Sequence, residues 1–520
     1  MNMNQHIFVP AGLENATPAL VKALREVPEG GCVTLEKGVY HFYREGAWEQ
    51  YLAPTNNHNG VKAIALPFFG RKNVTLEGNG AELLFHDRLF PGVVSGCQGI
   101  TLRNFSVDFA FPRYAVGTVW AGGEDGFGLE FDEDQGDFSL ENGCLAFRAG
   151  SQWRTTAQVK FFLWDPSGKN GVCFFVAGET RDPLTNLPVG VIRCDAESAG
   201  NRRVFFRYRP GSLKKQYAPG DVILVSHDEN RENDVFFLED SSQVRLENIE
   251  IFRGAGMGVI GQMCRDVSLE KVRIGVRPGR RELRSITADA YHFVHCDGLL
   301  SMKSCTARNT LDDAVNIHGI YTRLEWTEGR RARAQIGHHE QYGFLPYRPG
   351  DALRLIRPDG EEREGRWVVE SAQLTRDGTG IELTFANDCP GENGDYLENP
   401  DRMPEITIEG CAFEACPRVL ISSSKLTRIR NNFFRLEAGL SIIDGMQYWY
   451  EAGPVEDVTL ADNVFDNDLC APGRAAVTIY VDGESSRIRR HRNIRLRGNQ
   501  FLHCAKIVEA SQVEQLTIEP

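Results

Sequence analysis

A short alternating phrase, hydrophobic-x-hydrophobic-x-Asn/Gly/Lys-x-hydrophobic, recurs nine times along the chain. It stands at Asn73 (NVTLEGNGAEL), Gly99 (GITLRNFSVDF), Gln243, Asp266, Gly298, Glu405, Leu426, Asp457 and Asn493. Equivalent residues lie 26 apart from Val74 to Ile100, 23 apart from Val244 to Val267 and 21 apart from Phe413 to Phe434. A unit of that length holds about three short strands, so the period describes one coil of a parallel β-solenoid, each coil pairing with the last. The expected fold is all-β, a right-handed parallel β-helix. Leucine-rich repeats share the period but need a denser leucine grammar than is present. Asn104, Asn248, Asn432, Asn463 and Asn499 recur at the turn, where Asn suits positive φ and can form amide ladders. The segment Pro18–Glu26 has helical apolar spacing (Leu20, Val21, Leu24) and reads as a cap over the open first coil.

Two stretches interrupt the period and divide the chain. The expected parts are a cap with the first coils (1–111), a first β-barrel-like insert (112–233), central coils (234–320), a second such insert (321–400) and C-terminal coils (401–520). Both inserts carry hairpin signals, GGEDG and RDGTG, and both contain Tyr-x-Pro-Gly-Asp before an apolar strand, at Tyr217 and Tyr347. They therefore read as related. With 71 acidic against 58 basic side chains the net charge is −13, which disfavours nucleic acid and anionic membranes as partners. The 13 cysteines form no CxxC pair, and Cys296, Cys305 and Cys411 sit in apolar strand contexts, as expected of free thiols in a reducing compartment. The N-terminal residues lack a basic region followed by an apolar one, so a cytoplasmic location is expected as written, or a secreted or periplasmic one if a signal peptide has been removed. Solenoid sides associate laterally, which makes a homo-oligomer the association to test.

The chemistry concentrates in Thr287–Tyr321, TADAYHFVHCDGLLSMKSCTARNTLDDAVNIHGIY. Asp289 precedes Asp312, and His295 precedes His318, by the same 23 residues, which predicts that one coil superimposes both pairs. Alternation then places Asp289, Tyr291, Phe293 and His295 on the outer face with Asp312, Ala314, Asn316 and His318, and Val294 and Ile317 in the core. Asp313, out of phase, is expected at a corner that exposes it together with Asp312. Carboxylates held this close repel, which raises the pKa of one and leaves another ionised, the division of labour of general acid and base. No Cys cluster, His-x-x-x-His or P-loop competes, and His338, His339 and Glu340 are consecutive and cannot all face one ion from a strand, so neither metal nor other cofactor is expected. Trp449 offers an aromatic platform and Glu451 an acceptor for sugar hydroxyls. Arg418, Lys425 and Arg428 read individually as surface charges of the coils.

ADAYHFVHCDG, LDDAVNIHGIY one coil later, HHEQYGF with YRPGD, and WYEAGPVEDVTLADNVF together resemble the bacterial exo-α-1,3-galactosidases of glycoside hydrolase family 110, which act on blood group B antigen. The resemblance runs from about Val33 to Phe501. It implies a β-helix with β-barrel inserts, hydrolysis of terminal α-linked galactose with inversion, and an α-galactosyl oligosaccharide or glycoconjugate as substrate. It places Asp289, Asp312 and Asp313 in the active site and makes Glu340 a candidate acid. His292, His295, His318, Asn316, Trp449 and Glu451 are the candidate sugar-binding residues. Two other classes remain open from the residues themselves. One is a polysaccharide lyase or other uronan-acting β-helix enzyme, which needs basic groups or Ca²⁺ against a substrate carboxylate. The other is a non-catalytic glycan-binding solenoid.

Overall fold

The computed structural model describes residues 6–520 except 113, 133–137, 142, 150–151, 156–160, 165–173, 176–179, 182–187, 191–193, 211–216, 227–230, 232, 281, 471–472 and 483–490. The chain winds as a right-handed parallel β-helix with three faces. On the first face, Cys32–Leu35 pairs in parallel with Thr75–Phe85, and the ladder runs through Ser242–Ile251, Arg265–Ile274 and Glu405–Glu409 to Val513–Glu519. The third face stacks Phe90–Ser95, Phe236–Glu239, Val259–Gln262, Tyr291–Val294, the start of Val315–Glu328, Val419–Ile421, Leu440–Gly445, Ala475–Asp482 and Lys506–Ala510. One residue in two points inward, so each coil adds a layer of aliphatic and aromatic side chains to a single long core. Like side chains stack on like: Phe413, Phe434, Phe465 and Phe501 form a column with ring centroids 5.7, 4.9 and 5.3 Å apart.

The first coil is closed by a helix, Thr17–Glu26, which begins with Pro18 in its first turn and lays Leu20, Ala23 and Leu24 on the core. That covering matters because a bare first coil would expose both an apolar end and an unpaired strand edge. The cysteines that the structure describes are free, and Cys296, Cys305 and Cys411 are buried.

The turn asparagines divide into two kinds. Asn104 and Asn248 adopt φ of 62° and 50°, as expected, and Asn248 Nδ2 donates to Asn104 Oδ1 at 3.0 Å. Asn432, Asn463 and Asn499 form the buried ladder, but the positive φ falls one residue earlier, at Asn431, Asp462 and Gly498. In that ladder Asn432 and Asn463 each donate from Nδ2 to the Oδ1 of the next asparagine at 3.0 Å, and Asn463 Nδ2 also serves the Ile429 carbonyl at 2.9 Å. Each amide satisfies backbone groups that the tight corner removes from the strand ladder.

Both inserts leave the helix beside the third face. The second is a closed ring of six antiparallel strands: Val315–Glu328, Arg331–Ile336, Gly380–Phe385, Trp367–Leu374, Ala352–Ile356 and Tyr396–Glu398, which returns to Tyr321–Arg323. The first contains a seven-stranded antiparallel sheet built around Tyr114–Gly123 and Gly126–Phe131. The two Tyr-x-Pro-Gly-Asp phrases make the same turn. Asp221 and Asp351 each accept from the amide three residues back at 2.8 Å, and Gly220 and Gly350 have φ of 96° and 95°. Each glycine amide donates to a bulged strand, at Val119 and Val369, and receives that residue's amide on the following Asp carbonyl.

Asn463→Ala would take the Asn463 Oδ1 acceptor from the buried Asn432 main-chain amide and remove the Asn463 Nδ2 donor from the Ile429 carbonyl, while Asn432 Nδ2 keeps its bond to the Ile408 carbonyl. The expected loss is about 2–4 kcal/mol, read as a lower urea midpoint at unchanged m-value. A loss below about 0.5 kcal/mol would show that the ladder does not hold the coils.

Candidate active site

Polar residues gather where the chain turns onto the third face. Asp234 precedes Phe236–Glu239, Asp289 precedes Tyr291–Val294, Asp312 and Asp313 precede Val315, and Arg418 precedes Val419–Ile421. The corner is held coil to coil by main-chain bonds. The amides of Gly258, Ala290 and Ala314 donate to the carbonyls of Asp289, Asp313 and Arg418 at 2.9, 2.9 and 2.8 Å.

The rung between these coils is 24 residues, since Tyr291 pairs with Val315 and Val294 with His318. Asp289 is therefore level with Asp313 and not with Asp312, and His295 is not level with His318. A one-residue slip of register moves every side chain of a strand to the opposite face. Tyr291 and Phe293 accordingly lie in the core, with Ala314 and Ile317, while His292 and Val294 join Asn316 and His318 outside. Asp313 is buried beneath the corner and not exposed with Asp312, because Arg418 meets it there: Nε donates to both carboxylate oxygens at 3.0 Å. Asp312 stays half-exposed against the guanidinium of Arg231.

Oxygens of Asp289, Asp312 and Asp313 lie within 4.8 Å of one another. Such a group has the spacing to surround a cation, but Arg231 and Arg418 already supply the opposing charge to two of the three, and we assign no metal. Burial pushes the Asp289 carboxyl well above the usual carboxylate range, reinforced by Asp312 and Glu451 and opposed by Arg231 and Arg418. Asp313 is raised by burial and by Asp312 and Asp289, against the pull of Arg418. Burial is the largest single influence and lowers the pKa of both arginines, but the surrounding groups together outweigh it, Asp312, Glu340, Asp289 and Asp234 at Arg231 and Asp313, Tyr480 and Glu451 at Arg418, so both are held as cations.

His292 and His318 lie beneath this cluster. His292 Nδ1 is 2.8 Å from Asp289 Oδ2, the two Nε2 atoms are 3.2 Å apart, and His318 Nδ1 is 2.6 Å from the Gly319 carbonyl. Burial pushes both rings down to about 4. Both are fully buried, so neither ring is exposed for direct contact with a sugar as the sequence reading expected; their partners are Asp289, Glu451 and the Gly319 carbonyl. His295 is also displaced from that role. It is fully buried under the second insert, edge-on to Phe344 and Tyr347, and belongs to the packing of that insert. Asn316 is nearly buried beside His292's strand, and its Oδ1 has no hydrogen-bond partner among the described residues.

Three further segments reach the site. Glu340 lies on a 3₁₀ turn, His339–Gln341, and not on a strand. Its Oε2 is buried without a hydrogen-bond partner among the described residues, and its charge is felt by both Arg231 and His292. Glu451 returns on a short strand paired with Gly319 and Ile320, which sets its Oε1 3.5 Å from His318 Nε2. Trp449 just before it stacks on His338 at 4.1 Å between centroids, and its carbonyl accepts from Gln341 at 2.8 Å. The loop Ala53–Gly60 completes the enclosure: the Asn56 amide donates to the Glu340 carbonyl at 2.8 Å and Thr55 to Gln262 Oε1 at 2.9 Å.

Sequence reasoning missed Arg231, Asp234 and Asn56 and left Arg418 on the surface. Arg418 had a signal, because it enters the same corner one coil after Asp313. Arg231 and Asn56 lie in segments outside the repeat and had none.

No family model matches the chain. It is 28% identical over 509 residues to an α-1,3-galactosidase A of Shewanella woodyi, spanning 95% of this chain and 80% of that protein. An α-1,3-galactosidase B of Bacteroides thetaiotaomicron is 28% identical over 97% of this chain and 82% of its own length. An α-1,3-galactosidase A of Bacteroides fragilis is 26% identical over 95% and 82%. The likeness to bacterial α-1,3-galactosidases thus extends from the central motif to nearly the whole chain. A polygalacturonase of Erwinia carotovora aligns over 98% of this chain at 10% identity and TM-score 0.39, too distant to carry any argument.

Asp234 gives a test of these electrostatics. One oxygen accepts from the Met257 amide at 2.8 Å and the other is buried without a partner among the described residues. Burial pushes it up to about 7, against the Met257 amide, Lys62 and Arg231. A carboxyl raised in the fold stabilises below its unfolded pKa, about 3.9, and loses that contribution as pH rises through its folded value. Asp234→Asn does not titrate, so its advantage over the unaltered chain should grow from pH 4 to 7 and then level, by up to about 4 kcal/mol. Melting temperatures across that range check it; a gap that does not change with pH would place the burden elsewhere.

Proposed function

We propose that this protein is an exo-acting glycoside hydrolase that removes terminal α-1,3-linked galactose with inversion of configuration. The observation that carries the reading is the triad Asp289, Asp312 and Asp313, braced by Arg231 and Arg418 at one corner of the solenoid. Whole-chain similarity to proteins named α-1,3-galactosidase supports the substrate. Convergence of the 53–60 loop, the 339–341 turn and the Trp449 segment on one patch supports a pocket for a terminal sugar. A lyase acting on uronans is less well supported, because Arg231 and Arg418 are already paired with carboxylates of the site.

An inverting enzyme holds its acid and base about 6.5–9.5 Å apart to admit water, and a retaining one about 5–5.5 Å. The triad, with oxygens within 4.8 Å, is too compact to be both partners of an inverting pair. In this reading it binds and activates water as general base, and Glu340, on the facing turn, donates the proton to the leaving oxygen. Trp449, half-buried and tilted against His338, offers its ring to the apolar side of the galactose.

Proton NMR of fresh product from an α-galactoside should show β-galactose first. Initial α-galactose would replace this mechanism with a retaining one, for which the short carboxylate spacing would suffice. Glu340→Gln should slow substrates with poor leaving groups by about 10²-fold or more, and activated aryl galactosides far less. Equal losses on both would take the acid role from Glu340.

A further inference from the structure

We infer that Asp289 holds the one proton of the carboxylate triad at rest, and that His292 and His318 form a relay able to withdraw it. The assignment follows from a chain of atoms in which each partner dictates the next. The Gly319 carbonyl can only accept, so His318 Nδ1, 2.6 Å away, carries hydrogen. In a neutral ring its Nε2 is then bare. His292 Nε2 lies 3.2 Å from it and must be the donor, since two bare nitrogens would repel. His292 Nδ1 is therefore bare as well, and the Asp289 Oδ2 that faces it at 2.8 Å must supply the hydrogen.

Charge counting reaches the same answer independently. Asp312 is paired with Arg231 and Asp313 with Arg418, whereas the bond on Asp289 is to an imidazole. Among these three carboxyls and two guanidiniums one proton on Asp289 balances the charge, with Glu340, Asp234 and Glu451, which also act on them, outside that count.

The same number of protons can be arranged in a second way. The Asp289 proton passes from Oδ2 to His292 Nδ1 while the His292 Nε2 proton passes to His318 Nε2. Asp289 becomes a carboxylate, His292 remains neutral and His318 becomes an imidazolium, still bonded to the Gly319 carbonyl. Glu451 Oε1, 3.5 Å from His318 Nε2, is the counter-charge for that cation. At His318, the ring that becomes charged, burial is the largest influence and opposes the imidazolium, Glu451 and the Gly319 carbonyl favour it, and His292 opposes it. At Asp289, Arg231 and Arg418 favour ionisation and Asp312 and Glu451 oppose it. Burial decides for the neutral form at rest, in agreement with the lowered rings and the raised carboxyl. A ligand that changes this balance switches Asp289 from proton holder to base, ready to take a proton from water. His292 and His318 are then positioning residues. This use of the relay rests on the function proposed above; the resting proton positions do not.

Nitrogen-15 NMR of the full chain labelled at histidine separates the two. The variants H292Q, which keeps a donor at the Nε2 position, and H318N, which keeps one at the Nδ1 position, assign the signals. At pH 7 we expect His292 as the Nε2–H tautomer and His318 as the Nδ1–H tautomer, both still neutral at pH 5. A His292 Nδ1–H tautomer, or an imidazolium at either ring, would overturn the inference. If either variant fails to fold, the unaltered protein still decides through the protonation state of the histidines that do not titrate between pH 7 and 5. With activity in hand, H318N should lower kcat about 10–100-fold at nearly unchanged KM. A loss confined to KM would make His318 a binding support and end the relay, while absence of galactosidase activity would refute the proposed function and leave the tautomer result standing.

Discussion

The site depends on main-chain bonding between successive coils at one corner. Because Ala290 donates to the Asp313 carbonyl and Ala314 to the Arg418 carbonyl, two carboxylates and a guanidinium are fixed by the same ladder that builds the core. Strand pairing holds adjacent coils about 4.8 Å apart, so the acids cannot relax away from one another without breaking the solenoid. The scaffold thereby imposes a repulsion that the side chains must resolve.

They resolve it by pairing and by proton uptake. Arg418 comes from the next coil and meets the buried Asp313, and Arg231, from the segment joining the first insert to the helix, meets the half-exposed Asp312. Asp289 is left to the imidazoles. The inserts shape the rest: the long strand Val315–Glu328 runs from the third face into the second barrel, so the same strand that carries Asn316 and His318 also begins the wall holding Glu340. A packing shift in that barrel would be felt directly at the carboxylates.

Much of the architecture was legible because a β-helix repeats its packing in its sequence. The period marked the coils, its interruptions marked the inserts, and the paired Tyr-x-Pro-Gly-Asp phrases marked a shared turn. The acidic group was legible too, through the recurrence around Asp289 and Asp312. What failed was register. A 23-residue offset aligned like residues in the sequence, but the strands pair at 24, and that single step exchanged inside for outside along Tyr291–Val294. Side chains on irregular segments, Arg231 and Asn56 among them, follow no period, and nothing in a repeat predicts where a loop will return. Arg418 fell between these cases: its corner position was countable, but its buried partner was not visible without the correct rung.

The most direct measurement is galactose release from a panel of glycans ending in α-1,3-, α-1,4- and α-1,6-linked galactose or in α-1,3-N-acetylgalactosamine, with Asp289→Asn and Asp313→Asn as controls. The account predicts free galactose from the α-1,3-galactosyl members and a loss of at least about 10²-fold in both variants. Full activity in the variants, or no release from any α-galactosyl glycan by the folded protein, would contradict it.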